Sequence, residues 1–170
     1  CRYWMFAALN PFSHKMLNAF NLKDFELSQN YTFFWDKYEK ANYFYENVLA
    51  TAQEPLSSRK VAFLLQTPQQ DGGQWDMIVS IFQKYGIVPK AVMPESSNSS
   101  NSRDLNNYLN KKLRKDAGTL RQLVADGQSE AAIQEAKEGM LQENYNFLAT
   151  SFGTPPETFD FEYRDEEKNY

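Results

Sequence analysis

The sequence predicts an α+β domain that is predominantly helical. Apolar residues recur at helical spacing along most of the 170-residue chain. Near the end, the stretch T-F-D-F-E-Y instead alternates polar and apolar residues, which is typical of a strand. A chain of this size buries roughly 70% of the surface that its unfolded form exposes, so we expect one domain with its own hydrophobic core.

The first part of the chain predicts three helices, over residues 2–20, 28–50 and 58–66. Pro11 predicts either a kink or a helix boundary just before it, because proline has no N–H to donate to the carbonyl four residues earlier. Ser28 is the predicted N-cap of the second helix, since serine hydroxyls accept hydrogen bonds from the first-turn N–H groups.

The middle of the chain predicts a further helix and a loop. A helical face begins at Trp75, and Gly86 is the expected C-cap because glycine tolerates the left-handed conformation that ends many helices. Residues 87–93 are expected to be extended. The polar stretch 95–102 has the composition of a loop, and its last residue, Ser102, is a candidate cap for the next helix.

Two more helices are predicted over residues 103–126 and 129–152, closed by Gly127 and Gly153. They carry denser charge than the first half, which favours an α-hairpin laid against the rest of the protein.

The final segment, residues 153–170, contains the alternating stretch, with Phe159, Phe161 and Tyr163 on one face. A strand needs a partner, so we expect one outside the printed chain or, alternatively, a pairing back within it. Because the chain also begins with Cys rather than Met, we interpret both of its ends as cut.

Composition excludes several classes of function. The net charge of −4 and the pI of about 5.1 argue against nucleic acid as the main partner. No apolar run approaches the roughly 18 residues of a membrane span, so no membrane partner is expected. A single cysteine cannot form an internal disulfide, which fits a reducing compartment, and the cytoplasm is the expected location.

Few residues are suited to chemistry. The single His and the single Cys cannot form a zinc site without several carboxylates, so no metal is expected. The carboxylates of residues 165–167 are expected to be solvated. A cysteine at a helix N-terminus can be a nucleophile, because the helix dipole stabilises the thiolate. Cys1 meets that description, although a small buried residue is the simpler interpretation.

Several ordered blocks of the sequence resemble one enzyme family. The first is W-M-F-A-A-L-N, which resembles the segment after the nucleophile in papain-like cysteine peptidases. It is followed by F-E-L-S-Q-N-Y, D-G-G-Q-W-D-M-I, Y-G-I-V-P-K-A-V-M-P-E-S and G-T-P-P-E-T-F-D-F-E-Y. Together they resemble the branch that contains the bacterial aminopeptidases C and the bleomycin hydrolases, and they extend over nearly the whole chain.

This resemblance implies an architecture and an activity. Residues 1–94 would form the helical lobe of the papain-like core, residues 95–152 a helical insertion, and residues 153–170 the start of a truncated β segment. The chain would be an N-terminal-half fragment of an enzyme that cleaves peptides through a Cys/His acyl-enzyme. The resemblance implies no cofactor, and it implies a homohexamer for the intact protein.

The chain departs from the family at the nucleophile. The family pattern is Gly-Arg-Cys-Trp, and Arg2 and Trp4 match it, so Tyr3 stands at the nucleophile position and Cys1 at the glycine. Cys1 is the less favoured nucleophile, because two extended residues displace it by about 6–7 Å. The resemblance implies that the backbone N–H of Tyr3 stands at the position of one oxyanion donor.

The resemblance also implies substrate-binding residues. Gly72 and Gly73 match the pair whose backbone meets an extended peptide, with Asp71 and Trp4 beside them. Trp75 and its neighbour Gln74 would flank the cleft or simply pack. The alternative for D-G-G is a turn in which Asp71 caps the following helix.

The single histidine is not expected to be catalytic. The family's oxyanion Gln lies upstream of these blocks, and its catalytic His and Asn lie far downstream. His14 stands eleven residues after Tyr3 on the same predicted helix, roughly 16 Å away at the α-helical rise, and is expected at the surface or in a subunit contact.

We therefore predict a peptidase chain that is inactive by itself. The alternative is a non-catalytic pseudoenzyme subunit, a helical binding or assembly module that keeps the cleft glycines without the nucleophile. A plain helical protein with chance similarity would require the ordered blocks to be coincidence.

Overall fold

The fold is built from helices, as the sequence predicted. A computed structural model describes residues 2–163 and Glu167. Outside the helices, an isolated antiparallel bridge joins Leu27 and Pro89. The helices are α1 (Tyr3–Ala19), α2 (Gln29–Ala50), α3 (Arg59–Gln66), α4 (Trp75–Tyr85), α5 (Ser97–Ser100), α6 (Arg103–Ala125) and α7 (Glu130–Phe152).

The chain divides into two compact units. The first unit comprises Cys1–Asp36, Asp71–Ser100 and Phe152–Tyr170, and the second comprises Lys37–Gln70 and Asn101–Ser151. Helix α2 therefore contributes residues to both units. The division at residues 94/95 and 152/153, which the family resemblance implies, remains a prediction.

Helix α1 continues through Pro11. The predicted helix boundary before this proline is therefore wrong. Proline leaves the carbonyl of Ala7 without its usual donor, but Ala7 and Pro11 both lie on the exposed side of the helix. Water can hydrate that carbonyl, so the helix tolerates the missing bond.

The start of α2 is capped as predicted. The Ser28 Oγ accepts a hydrogen bond from the Tyr31 N–H at 3.0 Å and donates its own proton to the Met93 carbonyl at 2.5 Å. The Ser28 backbone N–H donates to the Val88 carbonyl at 2.8 Å. A single buried serine thus fixes the first turn of α2 against Val88 and Met93. The expectation that residues 87–93 are extended is wrong for residues 90–93, which form a turn closed by the Val92 N–H on the Pro89 carbonyl at 3.1 Å.

Glycines end three helices where the sequence placed them. Gly86, Gly127 and Gly153 have φ values of 76°, 70° and 95°, which side chains with a Cβ rarely adopt. The predicted loop at 95–102 instead contains the short helix α5, and Ser102 precedes α6 without a side-chain capping bond.

The predicted strand near the end does not form among the described residues. Among the residues that the structure describes, Phe159–Tyr163 pairs with no neighbouring backbone, and the rings of Phe161 and Tyr163 pack on residues that follow α1. Phe161 lies 5.8 Å from Phe25 and Tyr163 lies 5.1 Å from Phe20, measured between ring centroids. Alternation placed the rings on one face, but a strand also requires backbone hydrogen bonds from a neighbour. Residues 164–166 and 168–170 lie outside the described part.

The core of the first unit is rich in aromatic rings. The indole of Trp35 stacks on the ring of Tyr85 with 3.8 Å between centroids, and the Tyr31 hydroxyl donates to the Tyr85 carbonyl at 2.7 Å. These contacts fix the end of α4 against the first turns of α2. The other fully or almost fully buried side chains of this core include Met5, Ala8, Leu9, Phe33, Phe34, Ile78 and Ile81.

The second unit has an apolar core with a polar group inside it. The Tyr45 hydroxyl donates to Asp116 Oδ2 and accepts a hydrogen bond from Asn144 Nδ2 at 2.7 Å, while Lys112 Nζ reaches the same Asp116 oxygen at 2.7 Å. Burial, together with Asp116, raises the pKa of Tyr45 well above its ordinary value. The surrounding apolar residues are Ala41, Phe44, Val48, Leu113, Ala117, Leu120 and Leu141.

No helix in the described part of the chain is long and apolar enough to cross a membrane.

We predict that Ser28→Ala lowers the free energy of unfolding by about 1–3 kcal/mol, because it removes both the cap of α2 and the bond to the Met93 carbonyl. Chemical denaturation measures this change. Ser80→Ala is the matched control, because the exposed Ser80 hydroxyl donates within its own helix to the Asp76 carbonyl, and it should cost clearly less. Equal losses in the two variants would contradict the assignment.

We also predict a pH dependence that Tyr45 controls. A folded pKa above the unfolded value near 10 means that the contribution of Tyr45 to stability is intact below about pH 10 and is lost as the pH rises further. Tyr45→Phe should therefore flatten the decline in the free energy of unfolding above that pH. Tyr43→Phe, at an exposed tyrosine of the same helix, should leave the decline unchanged.

Candidate active site

The candidate site lies in the first unit, at the N-terminus of α1. Tyr3 is the first residue of this helix, and its side chain is 79% exposed. The first N–H groups of a helix have no partner within it, and the helix dipole makes this end electropositive. The first turn of α1 carries no acidic residue to offset that potential. The backbone N–H of residue 3 is therefore suited to receive a developing oxyanion.

Arg2 fixes the start of α1 through a residue that the sequence analysis did not single out. The Arg2 guanidinium forms a fork with the carboxylate of Glu95, with three N–O distances of 3.2–3.3 Å. Its central carbon also lies 5.1 Å from the centre of the Phe33 ring. Both charged side chains are largely buried, so the ion pair has a defined geometry.

Glu95 is itself held in place. The Ser99 hydroxyl of α5 donates to Glu95 Oε2, and the Asn30 side chain donates to the preceding carbonyl, that of Pro94, at 2.7 Å. Glu95 belongs to one of the sequence blocks that carry the family resemblance. No spacing rule links it to Arg2, which is 93 positions away.

Trp4 connects α1 to the loop before α4. Its indole Nε1 donates to the Asp71 carbonyl at 2.7 Å. A Cβ added at Gly73 would lie 2.6 Å from two atoms of the Trp4 ring, so the ring requires a glycine there. A Cβ added at Gly72 would meet nothing within 4 Å.

The two glycines therefore have different roles in the structure. Gly73 is explained by packing against Trp4, whereas the space that a Cβ would take at Gly72 is empty. The alternative in which Asp71 caps α4 is wrong, because α4 begins at Trp75 and Gln74 is the residue that precedes it. The structure thus brings Trp4, Asp71 and Gly73 together, with Gly72 between the last two.

An apolar pocket of about 230 Å³ lies between α1 and α4. Phe12 and Phe82 meet edge to face there, with 5.4 Å between ring centroids. The Trp75 side chain lines the same pocket and is 59% exposed.

The remaining candidates do not join this site. His14 is exposed on α1, away from its first turn. Among residues 2–163 and Glu167, no three His, Cys, Asp or Glu side chains are grouped so that they could hold a metal ion. Cys1, Asp165 and Glu166 lie outside the described residues, and Glu167 is exposed.

Comparison with known proteins identifies the family. Residues 1–170 match the Peptidase C1-like family, and the chain belongs to it. It is 63% identical to aminopeptidase C of Streptococcus thermophilus and 47% identical to aminopeptidase W of Lactobacillus delbrueckii subsp. lactis. Each alignment covers 99% of this chain and 38% of the relative.

A solved structure agrees with the fold. The crystal structure of PepW from Lactobacillus rhamnosis HN001 superposes with a TM-score of 0.96 at 67% identity, over 99% of this chain and 38% of that one. The family and the helical architecture predicted from the sequence blocks are thereby confirmed. The chain spans little more than a third of the length of these relatives.

We predict that Gly73→Ala lowers the free energy of unfolding by about 1–3 kcal/mol, because the new methyl group would overlap the Trp4 ring. Gly72→Ala is the matched control and should change it by less than about 0.5 kcal/mol. In a Trp4→Phe background the cost of Gly73→Ala should shrink, since the smaller ring frees space. An undiminished cost in that background would show that Trp4 is not the cause.

Proposed function

We propose that this chain supplies the helical lobe of a cysteine aminopeptidase that hydrolyses peptide bonds. In such an enzyme a thiolate at residue 3 attacks the scissile carbonyl, and the backbone N–H of residue 3 donates to the oxyanion. A histidine protonates the leaving amine, and water then hydrolyses the thioester. The membership of the Peptidase C1-like family and the names of its aminopeptidase relatives support this proposal.

One observation links the proposed function to particular residues. Trp4, which directly follows the nucleophile position, binds the Asp71 carbonyl and packs on Gly73. The electropositive end of α1 and the loop that contains Gly72 are therefore neighbours. A peptide whose main chain runs along Gly72 in an extended conformation would present a carbonyl to that helix end.

We also propose that the chain alone does not hydrolyse peptides. Tyr3 replaces the thiol, and a phenol oxygen stands well beyond the position of a cysteine sulfur. The only histidine, His14, is eleven residues further along α1, roughly 16 Å from residue 3 at the α-helical rise. A nucleophile and its base must lie within hydrogen-bond reach.

Tyr3 also supports a second candidate function. A chain that keeps Gly72 and the end of α1 but lacks a nucleophile fits a non-catalytic subunit that binds peptides or supports assembly. We further propose, from the family resemblance and the single cysteine, a cytoplasmic location and a homohexameric intact protein. Neither function requires a cofactor, a nucleic acid or a membrane.

The decisive experiment restores residue 3 in a chain extended to the full length of the relatives. We predict that Tyr3→Cys reacts with a thiol-directed peptide electrophile and hydrolyses aminoacyl substrates, whereas the parent does neither. Active-site titration and initial rates measure both. Tyr43→Cys is the matched control, because Tyr43 is 71% exposed and lies in the second unit, so its labelling reports unassisted thiol reactivity.

The outcomes separate the two functions. Labelling and turnover only in Tyr3→Cys support the peptidase with a replaced nucleophile. Peptide binding without turnover in both the parent and Tyr3→Cys favours the non-catalytic subunit. Labelling of Cys1 with turnover in the parent would show that the alignment of the first three residues is wrong.

A further inference from the structure

The residue that precedes the proposed nucleophile position has a buried side chain. Arg2 is the N-cap residue of α1, and its side chain is 14% exposed, whereas Tyr3 is largely exposed. The central carbon of the Arg2 guanidinium lies 5.8 Å from the centre of the Phe6 ring and 5.1 Å from that of the Phe33 ring. A buried cation is costly unless its N–H groups are satisfied, so this position requires an acceptor.

Glu95 supplies the acceptor in a geometry that fixes the guanidinium. Arg2 Nη1 donates to the two carboxylate oxygens at 3.3 Å and 3.2 Å, and Nη2 donates to Oε2 at 3.2 Å. Bonds from two nitrogens to one carboxylate define both the plane and the direction of the guanidinium. A lysine at residue 2 would keep the positive charge but could not form this fork. The shape of the cation therefore matters here as well as its charge.

Glu95 is itself held through its side chain and through its backbone. The Ser99 hydroxyl of α5 donates to Glu95 Oε2. The fully buried Asn30, in the first turn of α2, donates to the Pro94 carbonyl at 2.7 Å and to the Phe152 carbonyl at 2.8 Å. The Pro94 carbonyl belongs to the peptide bond that leads into Glu95, and all of these residues lie in the first unit. The acceptor for Arg2 therefore has a defined position.

The backbone of Arg2 is part of the peptide group that carries the proposed oxyanion donor. This planar group contains the Arg2 carbonyl and the N–H of residue 3, which point in opposite directions. The Arg2 carbonyl accepts the N–H groups of Met5 at 3.0 Å and of Phe6 at 3.2 Å, which closes the first turn of α1. The N–H of residue 3 consequently points out of the helix. Whatever holds Arg2 also sets the direction of this N–H.

We propose that Glu95, acting through Arg2, is a positioning residue that sets the peptide group between Arg2 and residue 3, and with it the nucleophile and the oxyanion donor. This inference rests on the proposed function for its reaction. Glu95 is not a catalytic residue in this proposal, because its carboxylate binds Arg2 and not the reacting atoms. A misplacement of about 1 Å at a reacting group can cost about a hundredfold in rate, so a residue that limits such movement contributes to catalysis.

The test uses two substitutions that break the fork in different ways. Arg2→Lys keeps the positive charge, whereas Glu95→Gln keeps the size of the side chain and removes the negative charge. The matched controls are Arg103→Lys, at the exposed first residue of α6, and Glu26→Gln, which breaks an exposed ion pair of the first unit. All four are made in the full-length chain that carries Tyr3→Cys, and rates are measured well below the melting temperature of each variant.

The first readout is the division of the loss between kcat and KM. Arg2→Lys and Glu95→Gln should each lower kcat about ten- to a hundredfold and change KM by less than about threefold, because a displaced nucleophile slows the chemical step. Their double variant should lose less than about threefold more than the worse single variant, since the two side chains act as a unit. Both controls should keep kcat within about twofold. Losses that multiply in the double variant, or a kcat equal to that of the controls, would overturn the proposal.

The second readout does not require peptide hydrolysis. The pH midpoint of alkylation by iodoacetamide reports the pKa of the thiol at residue 3, which the end of α1 lowers only while the thiol stays beside its N–H groups. Because Arg2→Lys retains the charge, displacement of the thiol should raise this pKa and slow alkylation below the midpoint about threefold or more. Arg103→Lys should leave the midpoint unchanged. Trypsin cleaves after either Arg or Lys at residue 2, so mass spectrometry separates label on residue 3 from label on Cys1.

The two readouts distinguish failure of this inference from failure of the proposed function. A loss of stability alone leaves the midpoint where it was, because the folded molecules still react with an unchanged pKa. If Tyr3→Cys hydrolyses no peptide, the proposed function fails, and the midpoint alone decides whether Glu95 and Arg2 position residue 3. Equal midpoints in Arg2→Lys and Arg103→Lys overturn the positioning role, whether or not peptides are hydrolysed.

Discussion

The candidate site depends on the close packing of Trp4 over the loop before α4. The indole donates to the Asp71 carbonyl, and its ring occupies the space that a side chain at residue 73 would need. One aromatic residue therefore fixes both a hydrogen bond and a steric contact, and it does so next to the proposed nucleophile position. A Cβ at Gly72 would meet nothing within 4 Å, so the steric demand of the ring acts on Gly73 and not on Gly72.

The other interactions at this site serve the same geometry by fixing the start of α1. The Arg2–Glu95 fork holds the residue before the helix, and Ser99 and Asn30 in turn hold Glu95 and its neighbour. Partly buried ion pairs contribute little net stability after desolvation, but they define orientation well. They set the direction of α1, whose N-terminal end is electropositive because of the helix dipole.

The tyrosine at residue 3 leaves this framework intact. Tyr3 is exposed and does not pack in the core, so a phenol at the proposed nucleophile position is compatible with the fold that the chain shares with its solved relative. The start of α1 is held by Arg2, Trp4 and the loop before α4, whereas the side chain at residue 3 faces solvent. In this proposal the stability of the fold therefore does not depend on the residue that performs the chemistry. For the same reason, a single substitution at residue 3 can test the proposed chemistry without disturbing the fold.

Local sequence was enough to predict every described helix except the short α5, the Ser28 cap and the glycines that end α4, α6 and α7. Periodicity, capping and glycine conformation act over a few neighbouring residues, so they can be predicted from short stretches of chain.

The folded chain was needed to show that Gly73 packs against Trp4, that Glu95 pairs with Arg2, and that the buried Lys37 donates to the Gln70 carbonyl. These contacts join residues 33 to 93 positions apart, and no local pattern records which distant backbone a side chain will meet. The strand expected at Phe159–Tyr163 with a partner outside the chain stays a prediction for the same reason, because alternation shows a face and the backbone partner is a property of the whole fold.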